Sequence, residues 1–407
     1  MQIDRLSRRD FGKIFAVAAV GNAVPAVAVP QDEWAAVRAA FTLDPKFIVM
    51  NAANLCPAVG SVNEVLFKYT RDIDANPSSQ NRTKFGTGRE DTRKKIAAHL
   101  NVTPEEIVIT RNTSEGNNFV SSGIELKAGD EVVIHDENHP TNNDSWKTKA
   151  KRYGFVVKAV NIPTPPPSAE VLIKAFTDVL TPRTKVLSFT HVTSSYGTRF
   201  PAKELCRIAR ERGIITLLDG AQSFGALDVD LKDIGCDFYT GSSHKWLMGP
   251  KEAGVLYIRS DAQSKLFPNE VGVYGGRVGA STVHETLGQR DDPCLMALGE
   301  AMDFHARIGK KKIEMHSKAL ADALKKELIK IAGVQMHSPA APELSSAVVV
   351  FRPGKVEIPR MAQALYQSIG FSGATRGDGL RISPHVYNSF EQVEKVVAAI
   401  SDYIKKS

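Results

Sequence analysis

The hexapeptide Gly241-Ser242-Ser243-His244-Lys245-Trp246, followed by Gly249-Pro250 and the strand-like run Gly254-Val255-Leu256-Tyr257-Ile258, places a lysine where burial can act on it. Partial burial and a neighbouring cation lower an amine's pKa, and a neutral amine is a nucleophile toward an aldehyde. By itself a Ser-His-Lys triplet suits a solvated surface lysine equally well. Upstream, however, the apolar run Ile214-Ile215-Thr216-Leu217-Leu218 ends in Asp219-Gly220-Ala221-Gln222. A carboxylate at the end of a buried strand is costly unless it meets a cation. A pyridinium nitrogen is such a cation, and a carboxylate beside it keeps the ring protonated as an electron sink. Gln222 then falls near the ring's phenolic oxygen. A helix N-cap is the competing reading of Asp219.

Two further strand ends suit the same ligand. Ile107-Val108-Ile109 leads into Thr110-Arg111-Asn112-Thr113-Ser114-Glu115-Gly116-Asn117-Asn118, where hydroxyls and backbone amides at a helix start form an anion site for phosphate. Val132-Val133-Ile134 leads into His135-Asp136-Glu137-Asn138-His139-Pro140. His139 can stack flat on a pyridine ring there, or be incidental to the loop.

The elements that must position these residues are apolar β-branched runs alternating with amphipathic stretches. Strands are expected at Ile107 to Ile109, Val132 to Ile134, Lys185 to Phe189 and Ile214 to Leu218, and helices at Thr92 to Leu100 and Lys203 to Arg212. That alternation predicts parallel βαβ units, whose ligands gather at the carboxyl ends of the strands. Pro163 to Pro167 reads as a stiff loop before a helix beginning near Ala169. From about Glu300 the texture changes to Lys/Ala/Leu helices, with short strands around Ala347 to Phe351 and Leu380 to Ile382.

The chain has 407 residues, enough for a large core and two domains. Its formal charge is +7, but Arg5, Arg8, Arg9 and Lys13 are among the positives and the remainder forms no basic run, so a nucleic-acid partner is not indicated. The four cysteines, Cys56, Cys206, Cys236 and Cys294, lie far apart without paired spacing, which argues against a zinc cluster or a disulfide framework. Buried thiols are expected; export would leave one unassigned disulfide open.

Ser7-Arg8-Arg9-Asp10-Phe11-Gly12-Lys13, the small apolar run Ile14 to Val29 and Ala26-Val27-Ala28 read in order as a charged region, an apolar region and a cleavage site. The paired arginines, with a serine before and Phe11 after, match the twin-arginine export pattern, which carries proteins folded around a cofactor. The run is short of the roughly 20 residues that span a membrane. The expected location is periplasmic or secreted, with the twin-arginine translocase as a transient partner.

Taken together these segments resemble the class V aminotransferase family of pyridoxal-phosphate (PLP) enzymes of fold type I, in its isopenicillin N epimerase-like branch. The resemblance runs from Asn51-Ala52-Ala53 through Arg111 to Gly116, Asn138-His139, Thr190 to Ser194, Asp219 to Gln222 and Ser242 to Lys245, to Leu380-Arg381-Ile382-Ser383. It implies an α/β fold with a mostly parallel seven-stranded sheet in a large domain and a smaller α+β C-terminal domain. The expected divisions are residues 1–28 (signal peptide), 29–50 (arm), 51–299 (large domain) and 300–407 (small domain), and the expected assembly is a homodimer.

The resemblance also implies roles: Lys245 as Schiff-base lysine and general base, Asp219 on the ring nitrogen, Gln222 on the phenolic oxygen, His139 on the ring face, and Thr113, Ser114, Ser242 and His244 on the phosphate. Arg381 matches the arginine that grips a substrate α-carboxylate, a domain-interface salt bridge being the other reading. Asn54, Ser194 and the loop Ser372-Gly373-Ala374 are weaker substrate candidates. Three departures stand out. Phe371 to Asp378 holds no cysteine, so the thiolate that desulfurases use is missing. Ser194 stands where many members have asparagine. Gln289 follows Gly288 where the family has a threonine that reaches a neighbouring subunit's phosphate. The expected function is therefore an epimerase or aminotransferase acting on a free amino acid or amino-terminated peptide. The alternatives are a C–S or other β/γ-lyase, periplasmic tailoring of a secreted peptide such as a siderophore side chain, or a non-enzymatic PLP or amino-acid binding scaffold.

Overall fold

Alternation of buried side chains builds the main sheet. In this computed structural model, which describes residues 31–407, strands β2 (Ile107–Thr110), β3 (Glu131–His135), β4 (Val156–Val160), β5 (Thr184–Thr190), β6 (Ile215–Asp219), β7 (Phe238–Ser242) and β8 (Gly254–Ile258) form one seven-stranded sheet in the order β2-β8-β7-β6-β5-β3-β4. β7-β6-β5-β3-β4 run parallel, while β8 is antiparallel to both its neighbours. The sheet is thus mostly parallel and seven-stranded, as expected. The short strand β1 (Ile48–Val49) lies apart from it.

Successive side chains point to opposite faces of a strand. Val108, Ile134, Leu217 and Leu256 accordingly join one apolar cluster with Phe119 and Trp146, and Ile109, Leu187, Leu218 and Val255 join the larger cluster on the other face. Sheets covered on both sides have strands buried throughout, and β3, β7 and β8 are; the edge strand β4 is largely open. Helices follow the strands: α2 (Thr113–Gly123), α3 (Pro140–Tyr153), α4 (Ala169–Thr177) and α5 (Ala202–Glu211), preceded by the long α1 (Ser79–Leu100).

A second, four-stranded antiparallel sheet, β12-β13-β10-β9, consists of β9 (Val334–Met336), β10 (Val349–Pro353), β12 (Ala374–Arg376) and β13 (Gly379–Ile382). Helix α6 (Asp292–Ile308) leads into α7 (Lys310–Leu328), and α7, α8 (Ile358–Ile369) and α9 (Phe390–Lys406) accompany this sheet. Strand β1 pairs in parallel with β11 (Phe371–Ser372), which ties the arm to the C-terminal region. The division expected between residues 299 and 300 falls inside α6, which packs against α1. The export segment, residues 1–28, lies outside the described residues.

Candidate active site

Three parallel strands and the turn after a fourth bring the expected residues together. Asp219 ends β6, almost wholly buried, and Asn117 of α2 donates to its Oδ2 at 2.8 Å while the Ala221 amide donates to Oδ1 at 3.0 Å. Thr240 of β7 in turn donates to Asn117 Oδ1 at 2.8 Å. No lysine, arginine or histidine lies within ion-pair distance of Asp219 among the described residues. This is a buried carboxylate aimed and left without a cation. No helix follows it, so the N-cap reading of Asp219 does not apply.

Lys245 sits on the turn after β7, closed by Met248 N donating to the Lys245 carbonyl at 2.9 Å. Its amine has no hydrogen-bond partner among the described residues. Burial, partly offset by Asp219 and reinforced by Arg381 and Arg376, pushes its pKa down to about 8. His244 beside it is pushed down to about 4 by burial and the Lys245 and Lys251 charges, and its buried Nδ1 lacks a partner.

At the start of α2, Asn112 caps the Glu115 amide and Ser242 Oγ accepts from the Thr113 amide at 2.8 Å, which leaves the Ser114 amide free. The Thr113 and Ser242 hydroxyls are 2.7 Å apart. One free amide and two facing hydroxyls at a helix N-terminus make an anion cradle. His139 caps α3, its Nδ1 accepting from Thr141 N at 3.3 Å, and its ring is exposed. The surrounding protein and the Lys245 charge lower its pKa.

Arg381 on β13 is fully buried, and no carboxylate among the described residues pairs with it, so the interface salt bridge is not what it makes there. Its Nη1 donates to the Ser194 carbonyl at 2.9 Å and Nη2 to Asn51 Oδ1 at 3.2 Å, while Nε finds no acceptor. Burial first, then Arg376, pulls its pKa down to about 9. The site therefore holds cations in want of anions.

The remaining expected residues lie as follows. Asn54 is exposed, and the asparagine that meets Arg381 is Asn51. Ser194 contributes its carbonyl to Arg381, not its hydroxyl. Gln289 is exposed and bonds Arg82 and the Arg290 carbonyl, a surface position from which the resemblance would have it reach a neighbouring subunit's phosphate. Gln222 is buried, but its Nε2 donates to the Ala53 carbonyl at 2.9 Å and its Oε1 accepts from Trp246 Nε1 at 2.8 Å, so one N–H alone remains for a ligand.

These last bonds belong to a closed circuit that sequence reading missed. The Ala53 amide donates to Ser383 Oγ at 3.1 Å, and His385 Nε2, two residues beyond Ser383, donates to the Trp246 carbonyl at 2.8 Å. The Lys245 turn, the Asn51 loop and the Arg381 strand are thereby fixed to one another. Asn117 was legible in principle, because it lies one turn after Thr113 on the same helix; the circuit was not, since each bond joins distant segments. Cys56 also lies close to Lys245, yet its thiol is buried against the Tyr387 hydroxyl at 3.6 Å and burial pushes it up to about 12. All four cysteines are free and buried.

The donor set fits PLP. A partnerless lysine, a carboxylate without a cation, an anion cradle, a flanking imidazole and a free amide N–H match the aldehyde, ring nitrogen, phosphate, ring face and phenolic oxygen of that one group. The aminotransferase class-V family model matches residues 52–396. The isopenicillin N epimerase of Amycolatopsis lactamdurans is 31% identical over 395 residues, covering 91% of this chain and 99% of the relative. A probable cysteine desulfurase of Methanothermobacter thermautotrophicus is 26% identical, covering 85% and 92%. Among solved structures, a cysteine desulfurase of Escherichia coli superposes with a TM-score of 0.80 at 22% identity, covering 92% of this chain and 98% of that one. A cystine C–S lyase in complex with cysteine persulfide gives a TM-score of 0.81 at 22% identity, covering 88% and 98%.

Proposed function

Because this chain belongs to the class-V aminotransferase family of PLP-dependent enzymes, we propose that it acts at the Cα of an amino acid, free or heading a peptide, with Lys245 carrying the proton. The cofactor supplies an electron sink joined to the substrate nitrogen. Asp219 would hold its ring nitrogen, with Asn117 and the Ala221 amide fixing the carboxylate's direction. Gln222 would offer its remaining N–H to the phenolic oxygen and His139 its ring face. The phosphate would fall to the Ser114 amide, the Thr113 and Ser242 hydroxyls and His244.

Lys245 would hold the cofactor covalently until substrate displaces it. Its amine, pushed down to about 8, then stands near enough to neutral pH both to take a proton from Cα and to return it. Arg381 is locked by the Ser194 carbonyl and Asn51, so its free Nε can present a fixed edge to the α-carboxylate. Delivery of a proton to the opposite face of Cα, by a donor other than Lys245, would give epimerisation; delivery by Lys245 away from Cα, to the cofactor, would give amino transfer. The choice rests on sub-ångström placement of Lys245.

One observation carries this reading: a half-buried amine and a buried guanidinium share a site without counter-ions among the described residues, a cost that a bound cofactor and an anionic substrate remove. Elimination of a β or γ substituent is the second reading, favoured by relatives named as desulfurases. It requires the same residues. Persulfide transfer to the enzyme is not part of it, because Phe371 to Asp378 holds no cysteine and the Cys56 thiol is buried and protonated.

Export by residues 1–28 makes the working location periplasmic or secreted and a secreted peptide, such as a siderophore side chain, an accessible substrate; N-terminal sequencing of the mature protein tests this. Homodimerisation is supported by an exposed apolar loop, with Val271 88%, Val273 86% and Tyr274 66% exposed. Sedimentation measures it directly.

The functional reading is tested by absorbance of the purified protein incubated with PLP, wild type beside Lys245→Ala. The expected result is a visible band in the wild type that borohydride fixes onto the Lys245 peptide. Solvent deuterium incorporation at Cα, oxo-acid formation and ammonia release then separate epimerisation, transfer and elimination. A colourless protein without a lysine adduct would leave a bare binding scaffold as the better account.

A further inference from the structure

The hairpin that carries Arg381 carries another arginine whose placement the reaction does not use. In the register of β12 against β13, Ala374 pairs with Arg381, Thr375 with Leu380 and Arg376 with Gly379. Paired residues of an antiparallel ladder share a face and alternate along the strand. Arg376 therefore projects from the same face as Arg381, one diagonal away, at a Cα separation of roughly 7–8 Å. Its cross-strand neighbour is a glycine, so no side chain stands opposite it.

The charges around Arg376 are arranged to leave it available. No carboxylate lies within ion-pair distance of it among the described residues, and its one hydrogen bond is to its own neighbour, the Thr375 carbonyl, at 3.1 Å. The hairpin's own acid, Asp378, is turned to His337 at 3.3 Å and Arg352 at 3.4 Å instead. The field of Arg376 nevertheless reaches the site, where it acts on Lys245, His139 and Arg381. An exposed arginine without a partner is ordinary at a surface. One that faces three active-site cations and imidazoles, while the adjacent aspartate is held elsewhere, raises the local positive charge that a second anion would offset.

We propose that Arg376 forms a second anion subsite beside Arg381, so that the enzyme selects amino acids whose distal end carries a carboxylate. The inference rests on the proposed PLP reading and names its substrate class. Arg381 takes the α-carboxylate, and Arg376, at the rim of the pocket, takes the distal one. Spacing between two guanidinium groups on neighbouring strands suits a side chain of glutamate length or a γ-glutamyl-type extension ending in a carboxylate.

The test uses the PLP-loaded enzyme and pairs of probes that differ only as carboxylate and carboxamide: aspartate and asparagine, glutamate and glutamine, γ-glutamylglycine and its C-terminal amide. Exchange of the Cα hydrogen in deuterium oxide, followed by NMR, gives kcat/KM whatever product the enzyme forms. At least one pair is expected to favour the carboxylate by about tenfold or more at low salt, with the preference shrinking as ionic strength rises. In Arg376→Ala the ratio falls to within about twofold, Arg376→Lys restores part of it, and Arg376→Glu reverses it. Equal rates for every pair in the wild type overturn the proposal, as does a preference that survives in Arg376→Ala and Arg376→Glu. Absence of a Lys245-linked cofactor is a separate result, visible in the spectrum before any probe is added, and it removes the PLP reading and this inference together.

Discussion

At the scale of single residues, the site is set by groups held in forms that water would not favour. Lys245 has an ordinary amine value of 10.5 and is pushed down to about 8 by burial. Because the folded value is the lower, the unfolded chain binds more protons between about pH 8 and 10.5, so folding stability rises with pH across that window and carries the full burial cost below it. Replacing Lys245 with Met removes the cost. Cofactor-free Lys245→Met should be more stable than cofactor-free wild type at pH 7 by on the order of 2 kcal/mol, allowing for the amine's partial solvent contact, and the gap should close toward pH 10.5. Urea unfolding at both pH values measures it; an equal or weaker variant at pH 7 would show that the amine is better solvated than its surroundings indicate. Lys245, Asp219 and Arg381 were legible in the sequence because each sits at or just beyond an apolar strand, where a charge needs a reason. Asn51 was not singled out beside Asn54, because the two lie on one turn, with the Asn54 amide bonded to the Asn51 carbonyl at 2.9 Å, and only the folded turn decides which side chain meets Arg381.

Elements place these residues by packing tolerances of a few tenths of an ångström. Helix α2 lies on β7 through Gly116, where an added Cβ would stand 2.8 Å from Thr240 Cγ2. Thr240 is the residue that orients Asn117, which orients Asp219. Alanine is the better helix former by about 1 kcal/mol, so propensity alone predicts that Gly116→Ala stabilises the protein. Overpacking predicts the opposite, a loss of about 1–3 kcal/mol, and we expect it to win because the clash is with a side chain itself wedged in the sheet. The variant should be less stable and should bind PLP at least tenfold more weakly by fluorescence titration, the Asp219 carboxylate having been turned from its direction. A stabilised variant with native affinity would mean that the helix shifts freely. Strands β2, β3, β5, β6 and β8 were legible from their apolar runs, within a residue or two of each end, whereas β4 and the central β7 were not named from the sequence. Helix α1 was seen only in its last turns, since its first half is polar and lacks apolar periodicity. Strand β13 was expected at Leu380 to Ile382, but its partner β12 and the pair β1 and β11, of two to three residues, are too short to announce themselves, although the β12–β13 pairing decides where Arg381 and Arg376 point.

For the molecule as a whole, the response to acid is set partly by buried histidines. His385 joins the C-terminal segment to the Trp246 carbonyl, while His135 and His191 lie buried at the ends of β3 and β5 and His305 lies buried in α6. Burial pulls His135, His191 and His385 down to about 3 and His305 to about 4 from an ordinary value of 6.5. All four are neutral in the folded state at neutral pH. Below about pH 6.5 the unfolded chain takes up protons that the folded chain refuses, so stability falls as pH falls, until the folded values are reached. Each such group contributes up to about 1.4 kcal/mol per pH unit, so four acting together exhaust a typical stability of about 5–15 kcal/mol within a few units. Acid unfolding is therefore expected as one cooperative transition between about pH 5 and 4, ahead of the range in which the ion-paired carboxylates are protonated. Glu131, held down to about 2 by Lys158, Thr181 and Arg183, belongs to that later range. Circular dichroism against pH, with proton uptake measured in parallel, reads both quantities. His305→Leu should move the midpoint lower by a few tenths of a pH unit and reduce the uptake, because one refused proton has been removed. A midpoint below about pH 3.5 in the wild type would assign acid unfolding to carboxylates and leave the buried histidines without a part in it.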